Sequence, residues 1–297
     1  MSGKPLNPTG LDFTPSIHND TYDFINPTRV DLSNRAVLIT GASKGIGRAT
    51  ALSYARAGAS YIAIAARSSL DSLEGELEEA AKKAGRASPK VLALQQDVTD
   101  NASVEKTVED VEEIFGRLDI VISNAGYLEP FKPFLESKPE DWKRSYEVNV
   151  FGVYHVARAF IPLLLKTENG LKQIITITSI GAHNIVPGGS GYLSAKLAVL
   201  RFTDFIGVEN PGIVTYGVHP GGVLTDLARA IGEKNMHLLI DQPELAADSL
   251  VWLTSERREW LNGRYISVTW DMEELLQKRQ EIEEQNLLKV RMAVGTA

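Results

Sequence analysis

The chain predicts an α/β fold in which a doubly wound parallel sheet of seven strands carries helices on both faces. Three observations point there. From residue 36 onward, short apolar runs of strand length alternate with longer amphipathic stretches. Gly58, Gly85 and Gly116 stand where helices must stop. The chain, 297 residues at 43% hydrophobic, is large enough to bury one extensive core.

Residues 1–34 carry Pro5, Pro8, Pro15 and Pro27 without apolar periodicity and read as an extended N-terminal arm. Strands are expected at 36–40, 61–66, 91–94, 118–123, 173–178, 214–218 and 265–268. Helices are expected near 45–58, 71–85, 101–116, 139–167, 190–208 and 243–254. The acidic run 74–83 is a solvated helix face, and there is no internal repeat. Residues 223–242 break the rhythm with about twenty weakly periodic positions, a length that loops reach when they serve function, and are read as a substrate lid. Beyond the last strand, Leu275, Leu276, Ile282, Leu287 and Leu288 partly form one stripe, which predicts a C-terminal helix over 272–290. The expected organisation is an arm (1–34), one catalytic domain (35–270) and a C-terminal helix with tail (271–297).

A net charge of −7, from 38 acidic and 31 basic residues, argues against nucleic acid or an anionic membrane as principal partner. With no cysteine, disulfides, thiolate catalysis and cysteine metal sites are excluded. The first residues are polar and contain proline, unlike a secretory signal, and Asn149, His155, Arg158 and Pro162 interrupt the most apolar stretch, 148–165. No membrane span is expected, and a soluble, cytoplasmic enzyme fits.

Thr40-Gly41-Ala42-Ser43-Lys44-Gly45-Ile46-Gly47 follows the first strand and opens a helix, the context of a phosphate-binding turn. Gly41 permits the sharp turn, Gly45 removes a side chain that would hold a pyrophosphate off the backbone amides, and Gly47 lets helix and sheet pack closely. The spacing is not that of the common G-x-G-x-x-G pattern, and a plain strand-to-helix turn is the competing reading. At the end of the second strand, where dinucleotide sites usually place an acid for the ribose hydroxyls, stand Arg67 and Ser68. Arg67 and Lys44 either bind a 2′-phosphate or are ordinary surface cations; the first reading predicts NADP(H). Asp71 is the acid that would support NAD instead. Asp97-Val98 ends the third strand, Asp97 being either an adenine acceptor or a loop cap. Asn124-Ala125-Gly126 ends the fourth, small enough for a cofactor to lie flat and equally accounted for as a turn.

Tyr192 and Lys196 are four apart, on one helix face, and Ser179 lies thirteen residues upstream of Tyr192. A cation about 5 Å from the phenol at an effective dielectric near 20 is worth roughly 3 kcal/mol, enough to carry a phenol from near 10 to near 8. The expectation is an acidified tyrosine able to work as acid and base near neutral pH.

Taken together, Thr40 through Gly47, Asn124-Ala125-Gly126, Asn149, Ser179, Tyr192 with Lys196, and Pro220-Gly221 through Thr225 resemble the short-chain dehydrogenase/reductase family over roughly residues 35–270. The resemblance implies a single Rossmann-type domain, a nicotinamide cofactor and no metal. By position, Tyr192 resembles the family's proton donor to a carbonyl oxygen, and Ser179 its hydrogen-bonding partner. Lys196 resembles the lysine that holds the nicotinamide ribose, and Asn149 the asparagine that positions a proton-relay water. Pro220, Gly221, Val223 and Thr225 resemble the nicotinamide-side loop. The family is commonly dimeric or tetrameric, which implies a homodimer or homotetramer. His219 departs from the usual small residue before Pro-Gly and is either a substrate contact or a strand-end residue. The ending Ser267-Val268-Thr269-Trp270-Asp271 departs too, which bears on the usual subunit contact. The arm and the ending resemble fungal members that act in secondary metabolism.

His183, in the loop after Ser179, reads as a surface residue, while Tyr127, Leu128, Ile185, Val186, Leu224 and Leu227 predict a mostly apolar wall for a bulky hydrophobic ketone or alcohol. The expected activity is an NADP(H)-dependent oxidoreductase interconverting a carbonyl and a secondary alcohol, running as a ketoreductase. Two rivals keep the fold: a redox-silent NADPH-binding regulator or scaffold, against which the four catalytic-type residues argue, and a cyclase or isomerase, separable by product analysis with and without NADPH.

Overall fold

The computed structural model describes residues 9–292, so the first eight residues of the expected arm and the last five of the expected tail lie outside the described residues. The seven strands are β1 (Ala36–Thr40), β2 (Tyr61–Ala66), β3 (Lys90–Gln95), β4 (Ile120–Ser123), β5 (Gln173–Ile177), β6 (Val214–His219) and β7 (Arg264–Ser267). They form one sheet in the order β3-β2-β1-β4-β5-β6-β7, every neighbouring pair parallel. Period-two alternation sends Val37, Ile39, Ile62 and Ile64 to one face and Ala36, Leu38, Ala63 and Ala65 to the other. On the first face pack α1 (Gly45–Arg56), α2 (Leu73–Lys83) and α7 (Pro243–Thr254), through Tyr54, Leu77 and Leu250 among others. On the second lie α3 (Asn101–Phe115) and α5 (Gly152–Lys166), through Val104, Val111, Phe160 and Leu164. Apart from the half-exposed edge strand β3, both faces of the sheet are therefore buried, which is why most of its strands read as nearly continuous apolar runs.

The helix expected over 139–167 forms, but as α4 (Pro139–Tyr146) and α5 joined by a π-helical segment, Glu147–Phe151. By length and composition Pro139–Lys166 would suffice to cross a membrane. In the fold its apolar side, including Val153, Val156 and Phe160, is buried in the core. At the amino ends of the strands, buried Asp119 accepts the Ala36 backbone N–H at 2.9 Å and pairs with Arg117 at 2.9 Å and Arg35 at 3.1 Å. That closes the edge away from the crevice. α6 (Ser190–Glu209) completes the long helices.

The C-terminal helix expected over 272–290 is instead two short ones, α8 (Met272–Gln277) and α9 (Arg279–Glu284). The chain then turns through Asn286 and Leu288, both at positive φ (49° and 63°), and the Leu288 carbonyl accepts the Tyr265 N–H at 2.8 Å. Arg264 reaches Asn286 Oδ1 at 2.9 Å and also the Leu287 carbonyl. β7 is the edge strand, and its donors need acceptors that a continuing helix cannot supply.

The N-terminal segment, expected to be extended, instead passes through turns and bends over 11–16 and two 3-10 turns, Asp23–Ile25 and Pro27–Arg29, and is fastened along its length. His18 N–H donates to Thr269 O at 2.8 Å, Trp270 Nε1 to Gly10 O at 2.9 Å, and Ile25 and Leu32 are buried in the core.

β1 has β2 on one side and β4 on the other, so the chain leaves it in both directions and a crevice opens beyond the strands' carboxyl ends. A Cβ on Gly47 would lie 2.4 Å from Gly41 O and 2.5 Å from Asn124 Nδ2. Gly47→Ala should therefore lower the urea midpoint by the equivalent of about 1–3 kcal/mol. Gly75→Ala, in α2 with nothing within 4 Å of the new methyl, should raise it by about 0.5–1 kcal/mol.

Candidate active site

A cavity of about 1230 Å³ occupies the crevice. Its lining includes the residues expected to bind NADP(H) or to act in catalysis except Asn149, which is fully buried behind the wall; exposed Asp71, the acid that would have supported NAD, does not line it either.

The glycine turn forms one end. Gly41 (φ 68°) and Gly45 (φ 57°) adopt left-handed backbone conformations that side chains disfavour. Lys44, at the N-cap of α1, gives no side-chain cap, so the first N–H groups of the helix are left to face the cavity end. Asn124 holds the turn to β4: its Nδ2 donates to Thr40 O at 2.9 Å and Gly41 O at 3.2 Å. The turn reading of Asn124 is thus a physical lock. Ser43 and Ile46 lie in the same turn and line the cavity. Arg67, two-thirds exposed, stands 3.9 Å from Asp97, and Lys44 Nζ meets Asp226 at 2.7 Å. Asp97 Oδ1 accepts from Thr99 N–H at 2.9 Å and Thr99 Oγ1 at 2.8 Å. Burial raises the pKa of this carboxyl, but the Thr99 hydrogen bonds and the Arg67 charge outweigh it and leave it below the ordinary value. Its loop-capping role is seen directly, and Oδ2 stays on the Arg67 side.

Tyr192, Ser179 and Lys196 meet at the other end of the strands' carboxyl edge. Lys196 Nζ lies 5.4 Å from the Tyr192 ring centroid and donates to Ile177 O at 2.7 Å. The expected acidification of the phenol is overturned. Burial drives the Tyr192 pKa up to about 12, against the pull of the Ser179 hydrogen bond and with a further push from the Glu129 carboxylate. Burial also drives Lys196 down to about 7. Desolvation of both groups outweighs the attraction between them that their spacing alone suggests. Near neutral pH the phenol is a protonated donor beside a lysine that is cationic only part of the time.

Two residues near the site escaped the sequence reading or were left open by it. Glu129, buried in the loop after β4, accepts the Tyr192 backbone N–H at 2.7 Å on Oε1 and the Ser145 hydroxyl on the other oxygen. It caps the first turn of α6, whose N-cap Gly189 offers no side chain. Ser145 O in turn accepts from Asn149 Nδ2 at 2.8 Å, and Asn149 also donates to Tyr127 O at 2.6 Å. The π-helical segment places Asn149 in this network, linking it to the helix of Tyr192. A single Glu in a loop carries no sequence signal, and the pairing exists only once α6 folds over it. His219 lines the cavity, buried, with Nδ1 lacking a partner among the described residues, and burial with His183 nearby lowers its pKa to about 3, so the ring is neutral. His183 is half-buried and edge-on to Tyr265 at 4.7 Å, rather than a surface residue. Of the expected wall, Tyr127, Leu128, Val186, Leu224 and Leu227 line the cavity, but Ile185 is fully exposed and does not. The tight turn at Gly188 (φ 91°) packs against the Lys132 backbone and leaves Ile185 on the outer side of its loop.

The family model of the short chain dehydrogenases matches residues 35–236. The chain belongs to this family. A short chain dehydrogenase of Monascus purpureus, mpl6, is 46% identical over 287 residues, 96% of this chain and 98% of the relative. Among solved structures, an alcohol dehydrogenase of Thermococcus sibiricus complexed with 5-hydroxy-NADP is 31% identical with a TM-score of 0.66, over 78% of this chain and 95% of that one. A 3-ketoacyl-(acyl-carrier-protein) reductase of Brucella melitensis complexed with NADH is 27% identical with a TM-score of 0.71, over 80% and 98%. The family match ends within the 223–242 segment, and residues 9–34 and 237–292 lie outside it. In this short-chain dehydrogenase the added N-terminal segment therefore meets the cavity at Leu11, Ile17 and Asn19 from beyond the family's common unit.

The low pKa of Lys196 has a stability consequence of definite sign. An unfolded lysine titrates near 10.5 and the folded one near 7, so between those values the unfolded chain binds more protons and stability rises with pH. Lys196→Met should abolish that rise, on the order of 2–4 kcal/mol across the window, as read from urea unfolding of both proteins between pH 6.5 and 10.

Proposed function

We propose that the protein is an NADP(H)-dependent oxidoreductase that interconverts a ketone and a secondary alcohol, working as a ketoreductase on a bulky hydrophobic substrate. The observation that carries this reading is the Tyr192 phenol, hydrogen-bonded with Ser179 and beside buried Lys196, in one cavity with the glycine turn. The residues present fit a nicotinamide dinucleotide. Gly45 leaves room beside Thr225 where a Cβ would come within 3.1 Å of Thr225 Cγ2, the α1 amides are uncapped, and Asn124, Ala125 and Gly126 leave the floor open. Ser43, Lys44, Ile46, Gly41 and Gly47 would hold its phosphates; Arg67 and Ser68 the adenosine ribose; Asp97 and Val98 the adenine side; Pro220, Gly221, Val223 and Thr225 the nicotinamide side. When bound, such a cofactor supplies or accepts a hydride equivalent. The chain's own residues do the rest. Tyr192 Oη gives its proton to the carbonyl oxygen, Ser179 Oγ donates a hydrogen bond to that oxygen as charge develops, and the two act as fixed donors in a dry site. Lys196 holds the ribose and favours the phenolate left behind, and Asn149 supports the route by which a proton returns.

For NADP(H) over NAD(H) the support is Arg67, exposed at the end of β2 where an acid would otherwise bind ribose hydroxyls, with Lys44 in the adjoining turn. The Thermococcus neighbour's title names an NADP derivative and the Brucella neighbour's NADH, so the choice rests on these cations. Exposed Phe151 and Tyr154 on and beside α5, with Phe205 and Val208 on α6, support a homodimer or homotetramer. The Monascus relative supports a role in fungal secondary metabolism, and a cytoplasmic place where NADPH is abundant accords with reduction.

Tyr192→Phe should lower turnover of ketones by about a thousandfold or more while NADPH affinity stays within a few-fold; undiminished reduction removes the assigned role. Arg67→Ala should cut kcat/KM for NADPH by about 10- to 100-fold and change the value for NADH far less, measured by nicotinamide absorbance with one ketone; equal losses for both cofactors refute the NADP(H) reading.

A further inference from the structure

Residues 11–16 pass through turns and bends, and residues 16–19 run past the cavity around a single bridge at Ile17, with side chains alternating between two sides over those four positions. Ser16 and His18 face the protein's own C-terminal segment: Ser16 Oγ donates to Glu274 Oε1 at 2.7 Å, and His18 Nε2 lies 2.8 Å from Asp271 Oδ2. Ile17 and Asn19 fall on the other side and line the cavity, as does Leu11. Ile17 forms an antiparallel bridge with Trp270, and Phe13 packs on the Trp270 ring at 5.0 Å. The segment is fastened at its far end as well. Asn19 Nδ2 donates to Asp241 Oδ1 at 2.6 Å, and Gln242 N–H to Asn19 O at 2.8 Å. Asp241 Oδ2 in turn accepts the Gly222 N–H at 2.6 Å. One carboxylate thus ties the arm to both ends of the 223–240 segment.

A wall held this firmly has no need of exposed aliphatic side chains for its own stability, yet it presents them. Leu11 and Ile17 are 46% and 45% exposed, and Leu238 and Ile240, on the 223–240 segment, 59% and 60%. All four line the same cavity as Tyr192. Large apolar side chains from two chain segments converging on one opening leave a wetted patch that a ligand's hydrocarbon would cover. The charged lining group tied to this segment is the Asp241 carboxylate, which repels an anion, and Thr269 and buried His219 add no charge.

We propose that residues 11–19 form a substrate subsite in which Leu11 and Ile17, together with Leu238 and Ile240, bind the hydrocarbon part of an uncharged ketone or alcohol distal to the reacting carbon. This rests on the carbonyl-reduction reading for its turnover assay, and on binding alone for its second readout. The arm then selects for chain length or ring bulk.

The test uses the full chain and a series of methyl ketones from 2-butanone to 2-dodecanone. Two quantities are measured in each protein: kcat/KM with NADPH, and the dissociation constant by calorimetry without cofactor. In the wild type both should improve about three- to fourfold per methylene over the lengths that reach the arm. In Ile17→Ser and in Leu11→Ser/Ile17→Ser the ratio of longest to shortest ketone should fall tenfold or more, whereas Ile17→Leu should keep it. Taking the ratio within one preparation cancels any loss of folded protein. A ratio equal in the wild type and the serine double variant, or a flat series in the wild type, overturns the subsite. Binding that follows the expected pattern without turnover of any ketone upholds the subsite and removes the reduction reading.

Discussion

Everything at the carboxyl edge of the sheet depends on how closely the turn after β1 approaches the end of β4. Gly47 has no room for a methyl group because Gly41 O and Asn124 Nδ2 already occupy it, at 2.4 and 2.5 Å from where a Cβ would stand. Asn124 closes the gap by donating to the carbonyls of Thr40 and Gly41, while Thr40 Oγ1 accepts the N–H groups of Asn124 and Ala125, each at 3.1 Å. This reciprocal set fastens two strands at the point where the sheet order reverses, leaving the uncapped start of α1 aimed along the crevice. A side chain at Gly47 would push helix from sheet and reshape the crevice that all later residues line.

Desolvation governs the chemistry at the other end of that crevice. Tyr192 and Lys196 are placed side by side by one turn of α6, and spacing alone suggests mutual stabilisation as an ion pair. The pair behaves otherwise, because Lys196 is buried with the Ile177 carbonyl as its hydrogen-bond acceptor and Tyr192 is largely withdrawn from solvent at the cavity wall. The phenol keeps its proton and the ammonium readily sheds one. Such a pair is suited to giving a proton at neutral pH. Glu129 deepens the asymmetry: its carboxylate fixes the helix turn that carries Tyr192 and at the same time opposes ionisation of the phenol.

The central strands were legible because both of their faces are buried, so each is a plain apolar run whose length and glycine punctuation give its bounds. The glycine turn and the Tyr192, Lys196 and Ser179 set were legible because their spacings have a local geometric meaning. What escaped depends on contacts distant in sequence. Glu129 is recognisable only beside the N-terminus of α6. The end of α9 and the turn through Asn286 to Leu288 meet the need of β7 for an acceptor, and the stripe of leucines that suggested one helix to residue 290 holds no trace of that demand. The pKa of Tyr192 went astray for the same reason, since burial is a property of the whole fold and spacing is not.

The two ends of the cavity offer opposite chemistries, and the difference bears on how it would fill. Lys44 and Asp226 are each about two-thirds exposed, at 68% and 69%, so their ion pair is worth at most about 1 kcal/mol and an anionic ligand can take over the cation cheaply. The arm end holds aliphatic side chains and a neutral histidine, favouring hydrocarbon and giving no return for charge. A ligand charged at one end therefore has a preferred direction along the crevice before any contact with Tyr192 is made. The proposed cofactor would lie at the cationic end, with the proposed substrate entering from the apolar one, and the two would meet where Tyr192 and Ser179 stand. Because Asp241 joins Asn19 to the Gly222 turn, a shift of the arm is transmitted directly to the Pro220-Gly221 stretch at that meeting point. The arm and the Gly222 turn are thus positioned by one carboxylate.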